Sequence, residues 1–288
     1  MYYIIYNPTS GNGNGKKAAE KVFASLREKQ MPYVSMCTEY AGHAAELAQK
    51  AAGEKPDAVI AIGGDGTISE VVRGMSGSGI ALGIIAAGTG NDFIKTAKIP
   101  KDTAEALNLI LNGESKSTDI GFINGRAFIN ECGTGFDVMV LDNAEKAKQH
   151  MNGLLPYLWG VIRTIIHFKS IKMTYTIEDG NEITDDLLVF AAGNGGIIGG
   201  GIPMCPKAEI DDGYFDIVII KSVKKYKMPL YLVKLLMGKV LTFKETSYLR
   251  ARKVSVSAPG MRVNIDGEIV SMDKAEIELI HSGLRIFR

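Results

Sequence analysis

The segment Gly63-Gly64-Asp65-Gly66-Thr67 closes the apolar run Ala58-Val59-Ile60-Ala61-Ile62 and opens a helical pattern over 67–76. Glycines at a strand end let the backbone approach a ligand closely. The N–H groups of the turn and of the following helix then point at a polyanion. The chemistry such a turn can do is to hold phosphate. Asp65 adds a carboxylate that can orient a magnesium ion or a water beside it. With Gly at about 7% and assuming about 5% each for Asp and Thr, this pentapeptide arises by chance in roughly 2 in 10,000 chains of this length. The competing reading is a plain left-handed turn between strand and helix.

Two further segments share the design. Gly88-Thr89-Gly90-Asn91-Asp92-Phe93 follows the next strand and offers Asn91 and Asp92 as polar ligands. Alone it could be a turn with an Asx cap. Asn7-Pro8-Thr9-Ser10-Gly11-Asn12-Gly13-Asn14-Gly15 follows the first strand and reads as a phosphate cradle or a simple loop. It lacks the GxxxxGK[ST] order of a P-loop.

The elements that must position these loops alternate. Strand patterns at 2–7, 33–38, 57–62 and 80–86 are separated by helical patterns at 15–30, 42–53, 67–76 and 102–112. That grammar predicts a parallel sheet with helices on both faces. Ligands of such sheets bind beyond the carboxyl ends of the strands, where the three glycine-rich segments fall. After residue 125 the grammar changes. Residues 126–130 read as a strand and 138–169 as mainly helical. Strand-like runs follow at 172–178, 183–192, 214–220, 253–258, 261–266 and 275–280, with a hairpin signal at Asp179-Gly180-Asn181. These predict a largely antiparallel second domain. Gly193-Asn194-Gly195-Gly196 and Gly199-Gly200-Gly201 read as a flexible cleft loop or a sharp bend.

Composition narrows the class. The 288 residues carry a formal net charge of +1, which points to no nucleic-acid partner. Three dispersed cysteines and four histidines form neither a disulfide framework nor a zinc pattern. The longest apolar stretch, 154–168, is interrupted by Arg163, so a soluble cytoplasmic protein is expected, with transient contact at the inner membrane surface. Residues 221–253 hold ten basic residues and one acidic residue, Glu245, interleaved with apolar ones. That pattern suits docking on an anionic membrane. It equally suits a core-facing helix with a solvated basic face. Residues 148–168, with Tyr157 and Trp159, raise the same pair of readings.

These residues carry a family resemblance. Asn7 to Gly11, the Gly63–Thr67 turn followed by Glu70, and Gly88 to Phe93 resemble, in order and spacing, the catalytic domain of diacylglycerol kinases and related lipid kinases. Thr118-Asp119-Ile120-Gly121, Asp211-Asp212-Gly213-Tyr214-Phe215 and Asn264-Ile265-Asp266-Gly267-Glu268 match later motifs, so the likeness spans nearly the whole chain. It is nearest to the short soluble bacterial members. The resemblance implies an N-terminal Rossmann-like α/β nucleotide domain over 1–125, completed by 276–288. A C-terminal antiparallel β-sandwich over 126–275 would carry the catalytic base and a structural metal. The implied activity is transfer of phosphoryl from ATP to the hydroxyl of diacylglycerol, with Mg2+.

The same resemblance implies site residues. Asp266 would be the general base with Glu268 beside it. From spacing alone Asp266-Gly267 reads as a hairpin turn. Asn7, Pro8, Thr9, Ser10, Gly11, Thr38, Gly63, Gly64, Asp65, Gly66, Thr67, Glu70, Gly88, Thr89, Asn91 and Asp92 would bind the nucleotide. Asp65, Asp92 and Asp119 would organise the magnesium–ATP complex. Asp212 would hold a structural magnesium with the main-chain carbonyls of Glu209 and Tyr214. One departure stands at Asn12, where soluble bacterial members can carry Lys; Lys16 and Lys17 lie just beyond. A membrane lipid substrate, peripheral membrane contact and a homodimer are the implied partners. Competing readings are a kinase of a sphingoid base or another glycerolipid, a non-catalytic nucleotide-binding regulator, and NAD kinase. The last family shares the GGDGT turn and an Asn-Glu pair like Asn130-Glu131.

Overall fold

The computed structural model describes residues 1–147 and 155–288. The first part of the chain runs β1 (Tyr2–Tyr6), α1 (Ser10–Glu28), β2 (Tyr33–Cys37), α2 (His43–Gly53), β3 (Ala58–Gly63), α3 (Asp65–Met75), β4 (Ala81–Ala86), α4 (Asp92–Ala97) and α5 (Thr103–Asn112). The strands β2, β1, β3 and β4 pair in that order, all parallel. Their continuous apolar runs follow from burial on both faces. Ile5, Val59, Ala61 and Ile84 pack against α2 and α3, while Ile4, Ile60, Ile62 and Ile85 pack against α1 and α5. Alternate side chains of a strand point to opposite faces, so one strand serves two helical layers.

The chain continues through β5 (Ser115–Ile123), β6 (Arg126–Phe128), β7 (Glu131–Gly135), α6 (Phe136–Ala147), α7 (Leu155–His167), β8 (Ile171–Ile177) and β9 (Ile183–Gly193). The short strands β10 (Ile197–Ile198) and β11 (Ile202–Pro203) follow, then β12 (Phe215–Lys221), α8 (Met228–Leu236), β13 (Thr246–Ala251), β14 (Lys253–Ile265) and β15 (Glu268–Phe287). Pairing among β7, β8, β9, β12, β13 and β14 is antiparallel throughout. A core of Phe128, Phe190, Phe215, Ile217, Val254 and Val263, among others, fills this β-sandwich-like half.

The halves share one hydrogen-bonded sheet, because β15 belongs to both. Its first half pairs with β14, its middle and end pair with β5, and Arg285 and Ile286 lie parallel to Ala81 and Leu82 of β4. An irregularity between Ile280 and Leu284, with Ser282 at φ 56°, bends the strand from one half into the other.

Several boundaries differ from the sequence reading. The helix expected from residue 67 begins at Asp65, and the strands expected at 253–258 and 261–266 are one strand, β14. The helical run 138–169 contains α6 and α7; residues 148–154 of it lie outside the described residues. Strand β5 had no counterpart in the sequence reading, since Ser-Lys-Ser-Thr-Asp has no apolar alternation. Pairing with β15 makes it a strand. Residues 221–253 are not one amphipathic helix: they hold a short 3-10 turn, the nine-residue α8, a second 3-10 turn and β13. No helix among the described residues is long and apolar enough to cross a membrane.

Candidate active site

Three loops meet beyond the carboxyl ends of β1, β3 and β4. The Asn7 side chain accepts from the N–H and hydroxyl of Thr9, which folds the first loop, and its amide donates to Thr67 Oγ1 at 3.3 Å. The loop turns through Gly11, Asn12 and Gly13 at φ 56°, 57° and 90° before α1 becomes regular. A Cβ on Gly11 would stand 2.2 Å from the Ala87 carbonyl oxygen, so the first loop rests on the end of β4. A Cβ on Gly88 would stand 2.4 Å from Gly64 Cα, so the second and third loops touch backbone to backbone. Glycine is required where backbones come this close. Pro8, Ser10 and Gly63 belong to the same rim, and Gly66 has open space beyond its Cα.

Side chains lock these loops. Asn91 sits at φ 49°, accepts from the Gly88 N–H at 3.0 Å and donates to the Gly88 carbonyl at 2.8 Å, closing the turn that carries Thr89. Asp65 Oδ1 accepts from the N–H of Asp92 at 2.7 Å and of Phe93 at 3.4 Å, while Oδ2 lies against Gly90. Burial raises the Asp65 carboxyl above its ordinary value, and the neighbouring Asp92 charge adds to the shift. Thr38 is buried at the end of β2, its N–H bonded to the Tyr6 carbonyl. Glu70 takes the N–H groups of Gly42 and Ala44, so it holds the N-terminus of α2.

A second layer comes from the β-rich half. Asp92 pairs with Lys95 Nζ at 2.8 Å and accepts from the Gly200 N–H at 2.6 Å. The Gly196 N–H donates to Thr96 Oγ1. Asn130 donates to the Ile197 carbonyl, and Asn194 to the carbonyls of Asp119 and Ile129. The glycine-rich segment 193–201 is therefore a strap bonded down onto α4.

Asp266 occupies the tip of the β14–β15 hairpin at φ 49°, followed by Gly267 at φ 94°, as a two-residue turn requires. The turn reading and the site reading thus coincide. Asp266 Oδ1 accepts from the N–H of Asn130 at 2.9 Å and of Glu131 at 3.0 Å, and Oδ2 from Ile129 at 2.9 Å. A carboxylate has about four acceptor sites. Three are taken, which fixes the group and leaves one on Oδ2. Glu268, beside it, pairs with Arg126 and Arg73; Arg126 first, then Arg73, holds its carboxyl below the usual value.

Spacing alone did not assign Lys95, Gly200, Glu131 or Asp137 to this place. Glu131 is buried with neither carboxylate oxygen hydrogen-bonded. Burial pushes it well above the carboxylate range, and the charges of Asp137, Asp266 and Asp92 push further. Glu131 therefore lies within electrostatic reach of both the hairpin tip and the nucleotide-side loops. Asn130-Glu131 was visible in the sequence as a pair, but nothing near it signals burial.

Asp137, in the first turn of α6, is raised to about 6 by burial, an effect the N–H groups of that turn moderate. An acid with a raised folded pKa stabilises the fold below its unfolded value and loses that contribution as pH rises through the folded pKa. Asp137→Asn is therefore expected to melt higher than the unaltered chain at about pH 8, by at most about 3 kcal/mol. The gain should shrink as pH falls below about 6 and vanish only near pH 3, below the unfolded value of 3.8. Melting curves across that range check it, and a gain independent of pH would contradict it.

The expected metal residues are placed differently. Asp119 is fully buried, and its oxygens are taken by the N–H groups of Gly213 and Ser282 and by His281 Nδ1. It joins β5 to the 211–213 turn and to the bend of β15. Asp212 Oδ1 accepts from the Tyr214 N–H and Oδ2 pairs with Arg250, whose guanidinium also stacks over the Tyr214 ring. The charge of Asp212 is already met by Arg250. In this arrangement Asp212, Glu209 and Tyr214 do not fit a cation without moving the Arg250 side chain. No group of three or more His, Cys, Asp or Glu side chains suited to a metal occurs among the described residues.

Known proteins show the same two-part pattern. A model described as "Diacylglycerol kinase catalytic domain" matches residues 1–123, and one described as "YegS C-terminal NAD kinase beta sandwich-like domain" matches 130–288. A diacylglycerol kinase of Mycobacterium tuberculosis is 31% identical over 290 residues, covering 99% of this chain and 94% of the relative. One of Bacillus subtilis is 30% identical over 289 residues, covering 98% and 94%. Among solved structures, a Bacillus anthracis protein proposed to be a diacylglycerol kinase matches with TM-score 0.81 at 26% identity, over 100% of this chain and 96% of that one. An NAD kinase from Archaeoglobus fulgidus, solved with ATP, matches with TM-score 0.55 at 14% identity over 100% and 94%, a likeness of fold alone.

Proposed function

As the chain belongs to the diacylglycerol kinase family, we propose that it transfers the terminal phosphoryl group of ATP to the free hydroxyl of diacylglycerol, giving phosphatidic acid and ADP. The observation that carries this reading is the convergence of three glycine-dependent loops, with the Asp266 hairpin tied by the Glu268–Arg73 pair to α3, the helix that opens at Asp65. Glu131 lies within reach of the charges of both Asp92 and Asp266.

In this reading residues 1–125 with 276–288 hold ATP, and 126–275 present the acceptor. The phosphates lie on the N–H groups of the loops at Asn7 to Gly11, Gly63 to Thr67 and Gly88 to Asn91, with Thr38 and Glu70 supporting the rim. Asp65, whose carboxyl is raised by burial and then by the neighbouring Asp92 charge, stands with Asp92 where the two would hold a magnesium ion accompanying the phosphates. Such an ion supplies neutralisation of phosphate charge. The acceptor hydroxyl sits at the open position of Asp266 Oδ2. Its oxygen forms the new bond to the terminal phosphorus as the bond to ADP breaks, and its proton passes to Asp266. Phosphoryl transfer has a loose transition state, so positioning matters more than a strong base. Three N–H bonds supply that positioning.

The experiment is a panel: purified protein with ATP, magnesium and, separately, diacylglycerol, a sphingoid base, monoacylglycerol and NAD. Phosphatidic acid from diacylglycerol is expected. Turnover of another lipid with none of diacylglycerol would replace the acceptor, and NADP formation would replace the reading.

A further inference from the structure

Helices α7 and α8 each have two apolar faces. The inner faces are ordinary core: Thr164 and Phe168 near the end of α7, and Met228 of α8, are buried. The outer faces are not. Leu155, Trp159, Ile162 and Ile166 recur at spacings of four, three and four along α7, and all are exposed, Leu155 to 60% and Ile166 to 59%. Tyr226, Leu230, Val233 and Met237 repeat the same spacing along α8 and its flanks, exposed by 54% or more. Such spacing sets each row on one side of its helix. With Leu236, nine of the fourteen large exposed hydrophobics among the described residues belong to these two short segments. A scatter of single exposed residues is ordinary, but concentration of this kind marks an interaction surface.

The two rows belong to one surface. Lys225 Nζ donates to the Ile166 carbonyl at 2.7 Å, tying the end of α7 to the approach to α8. Neither segment contains an acidic residue: there is none over 155–169 and none over 221–244. Exposed Arg163, Lys169, Lys224 and Lys239 flank the rows. The whole chain is close to neutral, at +1, so this is a local excess. Apolar side chains ringed by cations complement an anionic bilayer, whose headgroups meet the basic residues while the acyl region takes the apolar ones. A tryptophan and a tyrosine in the rows suit the boundary between the two.

The face also reaches the site. A Cβ on Gly238, just after α8, would stand 3.5 Å from Pro203, and the strap that leads to Pro203 is bonded to Asp92 and Thr96. We propose that α7 and α8 form one docking face for an anionic phospholipid bilayer, from which the acceptor is drawn. The occupant rests on the lipid-kinase reading; the face does not.

Trp159 is the single tryptophan, so its emission reports docking directly. The full chain is mixed with vesicles of phosphatidylcholine, with or without phosphatidylglycerol. Emission is expected to shift to the blue, and protein to sediment, only with the anionic lipid. Leu230→Ser with Val233→Ser should weaken vesicle binding by roughly tenfold or more. Lys224→Ala with Lys239→Ala should weaken it most at low salt. Both pairs should keep wild-type melting and wild-type turnover of a short-chain, water-soluble diacylglycerol, while turnover of vesicle-borne diacylglycerol falls with binding. Wild-type protein that ignores anionic vesicles, or variants that bind as tightly as wild type, would overturn the proposal. So would a change from dimer to monomer in the Leu230/Val233 variant, which would make the face a contact between copies. If no lipid is phosphorylated in any form, the kinase reading fails, and the vesicle measurement still decides the docking face.

Discussion

Replacing Asp266 by Asn is expected to lower kcat by about 100- to 10,000-fold, the range for loss of a positioned proton acceptor. ATP affinity should change little, because the nucleotide loops lie on other strands. The hairpin geometry adds a second expectation that spacing could not supply. The carboxylate accepts from the N–H groups of Ile129, Asn130 and Glu131. An amide placed there sets its own N–H groups against at least one of those donors. A buried donor left without a partner costs about 1–3 kcal/mol, so the melting temperature should fall as well. The two effects separate by kinetics at a temperature where the variant is fully folded. Near-normal turnover there would remove Asp266 from the proton-accepting role.

The second large effect concerns the loop contact. In Gly88→Ala the new methyl would stand 2.4 Å from Gly64 Cα and 2.8 Å from Asn91 Oδ1. Neither can yield easily: Asn91 closes its turn with two hydrogen bonds, and the Ala87 N–H is bonded to the Gly63 carbonyl at 2.7 Å. The loops must separate, at about 1–3 kcal/mol of overpacking. ATP affinity and stability should fall together. Gly66→Ala is the contrast, since a methyl there meets nothing within 4 Å. It should melt like the unaltered chain and lose ATP affinity by about tenfold or more, because the space beyond it is where phosphate would lie. Calorimetric titration with ATP and a melting curve read both. A Gly66→Ala protein that binds ATP normally would place the phosphates elsewhere.

The legible parts of this protein were those in which neighbours in sequence are neighbours in space. Strand, glycine turn and helix follow one another without a break at Ala58–Met75, so local pattern described them well. The change from alternating to antiparallel grammar near residue 125 was equally visible, because turn signals and strand runs are local too. Strand β5 was not, because Ser115 to Thr118 become a strand only through pairing with residues 284–287. The basic stretch 221–253 posed a choice between core and surface. The structure places Met228 in the core and Leu230 and Val233 in solvent within one helical turn and a half.

By itself the sequence determined the phosphate-holding turn at Gly63–Thr67 and the order of its companion loops, since a strand end, a missing Cβ and a helix start are encoded residue by residue. Tertiary structure alone decided what those loops face. Asp266 is held by N–H groups about 135 residues earlier in the chain. Asp119 spends its charge on residues 213, 281 and 282, and Asp212 spends its own on Arg250. Glu131 owes its raised proton affinity to burial between strands from three parts of the chain. Each is a partnership across a long loop. Closing such a loop is an entropic cost that grows only slowly with its length, so sequence separation constrains these pairings little, and no local pattern announces them.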